Sequence, residues 1–498
     1  MQLFSAGKNI YKKLLLTLFL MSATQAFAQA LKLPALFNNK MILQRGIEPP
    51  VWGLAAPNAT INVSLNKVKR IFKANDKGRW SGKLPEPVAG TTYTLTITSR
   101  GEKKVFSDVI GGDVYFAGGQ SNMQYSVSQM EGGEEEIAAA GDKQIRLFTV
   151  PRDISYRPRP DVNQQAKENA FEGVWSVASP ESVKDFSAIA YCFAKKIRLG
   201  EQVPVGIINA TWGGTPIEAH MSAEANGVLP YYADALKDMA SKPVTDSLII
   251  DKRKATPQLP ASVFNAMINP VIPFGVKGCL WYQGEHNWNN PYKYREQFIT
   301  FINDLRIRWK QGYLPFYFVQ LPNMGKKPVN PAEDFLSVLR ESQTMALKLP
   351  NTAMLVSLDI GDGDLHPKNK KAFGERLASI AQKHIYGKNI VVDGPVFTSY
   401  AIIRDTVEIS FADNGSGLIL KNDTAKVFSI AGRDNRFYWA DVIIRNNKLL
   451  VYSAMVKNPQ AVRYAWAENP SVTLFNKEGF PAPPFRTDAW QLKEDGKW

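Results

Sequence analysis

The sequence predicts an α/β fold: a parallel sheet flanked by helices in the middle of the chain, with an N-terminal and a C-terminal β domain. Between residues 109 and 390, short continuous apolar runs alternate with longer helix-period segments, as in a buried parallel sheet. Residues 29–108 and 391–498 instead contain short β-like runs separated by turn residues. The length of 498 residues accommodates these three parts.

Residues 1–28 predict a secretory signal peptide. Lys8, Lys12 and Lys13 form a basic start, residues 14–21 are apolar, and residues 26–28 read Ala-Phe-Ala, a small-residue cleavage site. Removal of this segment lowers the formal net charge from +14 to +11. Because no other apolar run is long enough to predict a membrane span, we expect a secreted or periplasmic protein.

The individual elements follow from residue periodicity. Alternating or β-branched runs predict a small β-sandwich before residue 109 and a second β domain after residue 390. Apolar residues at helical spacing predict two core-facing helices, one around Ile189 and Phe193 and one from Tyr294 to Trp309. The predicted central strands are 114–117, 205–210, 276–282, 316–321 and 353–358.

The charge pattern limits the classes of partner, and the cysteine content predicts the state of the thiols. Lysine and arginine are scattered, without an arginine–aromatic stripe, so we expect no nucleic-acid binding, and an anionic substrate is the weaker inference.

Cys192 and Cys279 both lie in apolar segments. They predict buried free thiols, with a single disulfide as the alternative.

Polar segments follow the predicted strands where they end. Because ligands of open parallel sheets bind beyond the carboxyl ends of the strands, we expect four of these segments to converge on one site. They are residues 118–123 (Gly-Gly-Gln-Ser-Asn-Met), 211–215 (Thr-Trp-Gly-Gly-Thr), 283–287 (Gln-Gly-Glu-His-Asn) and 359–367 (Asp-Ile-Gly-Asp-Gly-Asp-Leu-His-Pro).

Ser121 is the candidate nucleophile, because it follows two glycines at a predicted strand-to-helix turn. An N-cap serine is the alternative. His366 is the candidate base, because Asp364 lies two residues upstream and can fix the imidazole tautomer. His286 is the rival base, whereas surface or packing roles suit the other two histidines, His220 and His384.

Three further residues predict an oxyanion hole. Gly213 and Gly214 permit close approach of backbone N–H groups, and Gln283 supplies a side-chain amide donor. For Gln283, a loop-bracing amide is the alternative. Glu285 is a supporting residue that could orient Gln283 or His286, or act as a glycosidase carboxylate, which would need a second carboxylate nearby.

The acidic loop offers a cation site as another interpretation. Asp359, Asp362 and Asp364 are clustered oxygen ligands, but their spacing does not match an EF-hand. No HExxH motif or Cys/His cluster predicts zinc. We therefore expect neither a metal nor another cofactor.

Five motifs together resemble the sialate O-acetylesterase family of SGNH-type carbohydrate esterases, and they extend over most of the chain. The resemblance implies an SGNH-hydrolase-like fold and an exported serine esterase that removes O-acetyl groups from sialic acids. The motifs are Met-Ile-Leu-Gln-Arg at 41–45 with Pro-Val-Trp-Gly at 50–53, residues 118–123, Trp-Gly-Gly-Thr at 212–215, Trp-Tyr-Gln-Gly-Glu at 281–285, and His-Pro-Lys-Asn-Lys at 366–370.

By resemblance, Ser121 is the nucleophile, His366 the base and Asp364 the acid. Such hydrolases usually carry the acid three residues before the histidine, where this chain has Gly363, so Asp364 is preferred to Asp362. The implied oxyanion donors are the Ser121 N–H, a Gly213 or Gly214 N–H, and Gln283.

Two histidines depart from the family pattern. His220 and His286 stand where the family more often has a tryptophan and a small residue, so we expect a different substrate pocket. The implied partner is an O-acetylated glycan. Related enzymes act on acetylated xylan, so xylan or another plant glycan is the alternative substrate. A glycan-binding protein without catalysis is the alternative of another class.

Overall fold

The protein is described here by a computed structural model that covers residues 30–241, 257–331, 334–421 and 426–491. The predicted signal peptide lies outside these residues. The described chain forms two compact units. One contains residues 50–84 and 94–105 with the segment before residue 34, and the other contains the remainder.

Antiparallel strands make up the first unit. Strand β2 pairs with β5, and β3 pairs with both β4 and β6. Buried residues alternate with half-buried ones along β2 and with half-buried or exposed ones along β3, which confirms the predicted β structure. The strands before the first helix are β1 (Ile42–Gln44), β2 (Pro50–Leu54), β3 (Thr60–Leu65), β4 (Val68–Lys73), β5 (Arg79–Lys83), β6 (Thr92–Ser99) and β7 (Glu102–Gly119).

The second unit is built on a mixed sheet in the order β13-β12-β11-β7-β10-β8-β9. Neighbours are parallel except β8 and β9. All five predicted central strands are confirmed. The strands that follow β7 are β8 (Ile145–Thr149), β9 (Trp175–Val177), β10 (Val205–Thr211), β11 (Gly278–Tyr282), β12 (Phe316–Val319) and β13 (Thr352–Leu355).

Two strands of this sheet, β8 and β9, were not predicted. Arg146 interrupts the apolar run of β8, so the sequence pattern does not predict this strand. Arg146 is buried because its guanidinium forms two hydrogen bonds, of 2.8 and 2.9 Å, with the Asp108 carboxylate. A buried arginine of this kind needs a partner that only the fold brings near.

Helices flank the sheet as predicted. The core-facing apolar residues of α4 (Ala188–Glu201) and α8 (Pro291–Trp309), including Ile189, Phe193, Tyr294 and Trp309, are buried. The α-helices are α1 (Ser121–Gln124), α2 (Gly133–Ala138), α3 (Pro180–Lys184), α4 (Ala188–Glu201), α5 (Ile217–His220), α6 (Ala223–Gly227), α7 (Ala233–Ser241), α8 (Pro291–Trp309), α9 (Phe335–Thr344) and α10 (Lys370–His384). Among the described helices, none is long and apolar enough to span a membrane.

The C-terminal region consists of antiparallel sheets, which confirms the predicted β structure there. Their orders are β14-β15-β20-β19, β18-β17-β21-β23 and β16-β22. They enclose an apolar core that includes Val407, Ile409, Val451 and Tyr464. The strands are β14 (Val396–Ile403), β15 (Thr406–Ala412), β16 (Leu418–Leu420), β17 (Phe428–Ala431), β18 (Phe437–Trp439), β19 (Asp441–Arg445), β20 (Lys448–Tyr452), β21 (Ala461–Tyr464), β22 (Leu474–Asn476) and β23 (Phe485–Arg486).

Arg340 connects this region to the central sheet. The fully buried guanidinium donates to the carbonyls of Leu321 and Pro322 and, at 2.7 and 2.8 Å, to those of Ala467 and Glu468. These bonds hold the segment after β12 against residues 467 and 468. The N–H of Gly325, in the same segment, donates to the carbonyl of Gly363 at 3.0 Å and so supports the acidic loop.

Both cysteines are free and buried, which confirms the thiol interpretation over a disulfide. Burial raises the pKa of the Cys192 thiol to about 12 and raises that of Cys279 as well. Neither is a reactive thiolate.

Candidate active site

Ser121 begins α1 directly beyond the end of β7. Gly119 makes this sharp turn possible, with φ at 137° and room for no side chain, since a Cβ there would lie 2.1 Å from the carbonyl oxygen of Tyr282. The N–H of Gln120 donates to the same carbonyl at 3.0 Å. As the first helical residue, Ser121 has a backbone N–H without an intrahelical acceptor.

His366 lies against Ser121. The two side chains meet at 2.8 Å, from Nε2 to Oγ. The ring of Tyr125 stacks on the imidazole with centroids 6.2 Å apart. Burial and the neighbouring Lys370 ammonium lower the pKa of His366, while Asp364 opposes them. A neutral imidazole in this position can accept the serine proton.

Asp364 holds the backbone of the histidine. Its Oδ1 accepts the His366 N–H at 3.0 Å, and Asp362 Oδ1 accepts the N–H of Asp364 at 2.9 Å. Asp362 also accepts the N–H of Lys368 at 3.3 Å. The two carboxylates therefore organise the loop in series, and Asp364 is the one whose charge acts on the imidazole.

Asp359 does not join this pair. Its carboxylate forms a bidentate ion pair with Arg376, with oxygen–nitrogen distances of 2.7 and 2.8 Å. Within the ranges that the structure describes, no three His, Cys, Asp or Glu side chains are grouped as a metal site would require. The acidic loop is thus stabilised by a guanidinium and by backbone N–H groups.

The glycines of the second loop differ in their contacts. The Gly213 N–H donates to Gln124 Oε1 at 2.6 Å, and a Cβ on Gly213 would lie 3.2 Å from that of Ser121. Gly214 has a left-handed φ of 71° and open space around it. Gly214 is therefore the more accessible of the two predicted backbone donors.

Gln283 is fully buried, and its amide contacts other side chains and backbone. Its Nε2 donates to the Thr215 carbonyl at 3.2 Å and to Asn287 Oδ1 at 2.6 Å. Its Oε1 accepts the Tyr294 hydroxyl at 3.0 Å. These contacts match the loop-bracing alternative, because both amide hydrogens have acceptors within the protein.

Glu285 contacts Asn122 rather than Gln283 or His286. Asn122 Nδ2 donates to Glu285 Oε1 at 2.5 Å, and also to the carbonyl of Leu365 at 2.9 Å. The ammonium of Lys370 in turn donates to Asn122 Oδ1. Asn122 and Lys370 were not among the predicted site residues, although both lie in the family motifs. A lysine that opens an amphipathic helix is typical of a solvated surface.

The remaining histidines do not contact Ser121. His220 is fully buried, with Nε2 2.7 Å from Thr215 Oγ1, and burial lowers its pKa to about 3, so it packs as a neutral ring. The His286 residue is exposed, and its N–H donates to Gln120 Oε1 at 3.2 Å. His384 is exposed, and the Tyr317 ring lies close to it. His366 is thus the histidine in contact with Ser121.

Hydrogen bonds connect the four predicted loops. The Trp212 N–H donates to the Gly119 carbonyl at 3.0 Å, and the Gly284 N–H donates to Gln120 Oε1 at 3.4 Å. With the Ser121–His366 contact, these bonds bring the ends of β7, β10 and β11 and the loop after β13 to one site. The expected convergence is confirmed.

A serine and a histidine in contact at the carboxyl end of a parallel sheet are typical of hydrolytic enzymes that act on acyl groups. Comparisons with known proteins identify the class as carbohydrate esterase. A family model described as "Carbohydrate esterase, sialic acid-specific acetylesterase" matches residues 111–383, and the chain belongs to this family.

Relatives are similar along most of the chain. The sialate O-acetylesterases of Homo sapiens and Pongo abelii are each 28% identical to it, over 508 and 503 residues, covering 90% of this chain and 91% of theirs. The crystal structure of a carbohydrate acetylesterase from Xanthomonas citri is 37% identical, with a TM-score of 0.81, and covers 93% of this chain and 100% of that one. The chain is therefore an esterase enzyme, not a glycan-binding protein without catalysis.

Proposed function

We propose that the protein removes O-acetyl groups from sialic acids, with Ser121 as nucleophile and His366 as general base. The observation that carries the mechanism is the 2.8 Å contact between His366 Nε2 and Ser121 Oγ. Nε2 takes the hydroxyl proton as Oγ attacks the acetyl carbonyl. The imidazolium then returns the proton to the departing sugar oxygen, and water hydrolyses the acetyl-serine by the same exchange.

Asp364 is the proposed acid of the triad. Its negative charge favours the imidazolium that forms during attack, and its carboxylate accepts the backbone N–H of His366, which fixes the loop. Asp362 acts on His366 only indirectly, because its carboxylate accepts the backbone N–H groups of Asp364 and Lys368. This supports the preference for Asp364 over Asp362.

The developing oxyanion needs donors that are not already engaged. The N–H groups of Ser121 and Gly214 are the proposed pair, each from a different strand end. Gly213 and Gln283 were predicted to join them. Their N–H groups instead donate to Gln124, Thr215 and Asn287, so we propose that they brace the loops that carry the hole.

Two observations support sialic acid as the substrate. The matching family is described as specific for sialic acid, and the human relative is a sialate O-acetylesterase. Sialic acid also carries a carboxylate, which suits a basic chain. A neutral acetylated plant glycan is the competing substrate, because the more similar Xanthomonas citri protein is described only as a carbohydrate acetylesterase.

Acetate release decides between the two substrates. Acetylated sialoglycans and acetylated xylooligosaccharides are compared at matched concentration and at rising salt, with Ser121→Ala as the inactive control. A sialate enzyme should have the higher kcat/KM on sialoglycans and should lose activity with salt there, while p-nitrophenyl acetate hydrolysis stays nearly constant. Higher kcat/KM on xylooligosaccharides without salt dependence would replace sialic acid by a plant glycan.

Export is the proposed route to this substrate. The basic start, apolar run and small-residue site within residues 1–28 support it. Expression of the full chain in a Gram-negative host, followed by fractionation and N-terminal sequencing, tests it. A periplasmic product that begins near Gln29 is expected, and an uncleaved cytoplasmic product would contradict it.

A further inference from the structure

A buried polar cluster lies directly beneath the catalytic pair, formed by Asn122, Glu285 and Lys370. The side chains of Asn122 and Lys370 have no exposed surface, and Glu285 Oε2 is buried. Buried charges are costly unless they have a specific environment. The cluster therefore needs a reason beyond packing.

Asn122 connects the nucleophile to the base. It follows Ser121 in α1, and its Nδ2 donates to the carbonyl of Leu365, which precedes His366. The second Nδ2 hydrogen goes to Glu285 Oε1. The Asn122 amide thus links three segments: the start of α1, which carries Ser121, the loop that carries His366, and the loop after β11.

Lys370 sets the orientation of that amide. Its ammonium has only donors, so it requires Oδ1 of Asn122 to face it, and Nδ2 then faces Glu285 and Leu365. The rings of Tyr125, Phe373 and Tyr282 surround the ammonium, with centroids 4.9, 5.5 and 5.7 Å from Nζ. Such rings stabilise a cation in a buried place. A reversed amide would direct its N–H groups at this cation.

We propose that Lys370 is a positioning residue for the esterase reaction, acting through Asn122 to hold Ser121 and His366 in register and through its positive charge on the His366 imidazole. The inference rests on the proposed roles of Ser121 and His366. It adds a residue that acts on both members of the pair without contacting the substrate.

The charges around the pair agree with this role. Burial lowers the pKa of Lys370 to about 7, and Glu285, Asp362 and Asp364 oppose that shift. Burial lowers the pKa of His366 most, Lys370 lowers it further, and Asp364 raises it. Below about pH 7 Lys370 is charged, so its ammonium disfavours the imidazolium.

The test is the pH profile of p-nitrophenyl acetate hydrolysis by Lys370→Met, Lys370→Arg and Ser121→Ala. Lys370→Met should lower kcat about a hundredfold with a smaller change in KM, because misplacement of the pair affects the chemical step. Its acidic limb should move to higher pH, since the cation beside His366 is gone. Lys370→Arg keeps the charge and should retain the wild-type limb.

Lys371→Met is the matched control. It removes the next lysine of the same helix, whose exposed ammonium pairs with Glu136 at 2.7 Å, and should leave kcat and the limb unchanged. Folding of each variant is checked by circular dichroism. If Lys370→Met does not fold, NMR titration of the His366 imidazole in wild type and Lys370→Arg replaces it, with a pKa below the ordinary histidine value expected in both.

The outcomes separate the inference from the proposed function. A folded Lys370→Met protein with wild-type kcat and acidic limb, beside an inactive Ser121→Ala protein, would overturn the positioning role alone. A wild-type His366 pKa at or above the ordinary value would also overturn it. Full activity in Ser121→Ala would instead overturn the proposed nucleophile, and the positioning role with it.

Discussion

His366 Nε2 lies 2.8 Å from Ser121 Oγ although 245 residues separate them in the chain. The contact exists because β7 and β13 end at the same edge of one sheet, with the serine on the helix after β7 and the histidine in the loop after β13. Its geometry leads to predictions about catalysis, and the surrounding buried groups lead to predictions about stability.

Ser121→Ala and His366→Ala should each lower kcat by about four orders of magnitude or more, and the double variant should lose little further, because the two groups act as one unit. Single-turnover and steady-state kinetics of all three variants measure this. Multiplying losses would show that the two side chains act independently, which the proposed mechanism does not allow.

Asp364→Asn should move the acidic limb of kcat/KM to lower pH while reducing kcat. The carboxylate raises the pKa of His366, so its removal favours the neutral ring and weakens support for the imidazolium. This shift is opposite in sign to that of Lys370→Met. Asp362→Asn is the matched control in the same loop, and an equal or larger effect there would make Asp362 the acid.

Gln283→Ala should lower the free energy of unfolding markedly and should lower kcat only slightly. Thr215, Asn287 and Tyr294 each lose a buried partner, at about 1–3 kcal/mol for a group left unpaired. Denaturant unfolding and kcat are measured beside Gln320→Ala, another buried strand-end amide. A fall of about 10²- to 10³-fold in kcat at wild-type stability would instead identify Gln283 as an oxyanion donor.

His220→Gln should make the protein lose less stability on acidification than wild type. The pKa of His220 is about 3 when folded and near 6.5 when unfolded, so the unfolded chain binds an extra proton between these values. The contribution of the neutral ring is complete above pH 6.5 and decreases as pH falls toward 3. His384→Gln removes the ring of an exposed histidine and should change the pH dependence less; equal effects would contradict the assignment.

Cys192 and Cys279 should react with a thiol reagent such as dithionitrobenzoate only after unfolding. Both are buried, and burial raises their pKa, so the thiolate is scarce in the folded state. The native protein and the protein in denaturant are compared by absorbance. Rapid reaction of either thiol in the native protein would show that its surroundings open.

Much of the fold could be predicted because local patterns carry it. Each of the strands β7, β10, β11, β12 and β13 contains a continuous apolar run, and a strand buried on both faces requires that pattern. The predicted site followed from topology, since residues just beyond the ends of parallel strands share one edge. Ser121, Asp364 and His366 could therefore be chosen as candidates from the sequence, and their catalytic roles stay predictions.

The positions that escaped prediction depend on partners distant in sequence. Strand β8 contains Arg146, whose burial makes sense only beside Asp108. The predicted donor role of Gln283 conflicts with acceptors on Thr215 and Asn287 that no spacing rule reveals. Local sequence gives the chemistry of a side chain but not which of its hydrogen bonds are already formed.

The sequence by itself determined the strands, the helices, the family resemblance and the candidate Ser121–Asp364–His366 set, because each depends on residue type and short spacing. Only the tertiary structure decided that Lys370 lies beneath the site, that its ammonium faces Asn122, and that Asp359 pairs with Arg376. The reason is electrostatic: a charge acquires its role from the burial and the partners around it, and the fold supplies both.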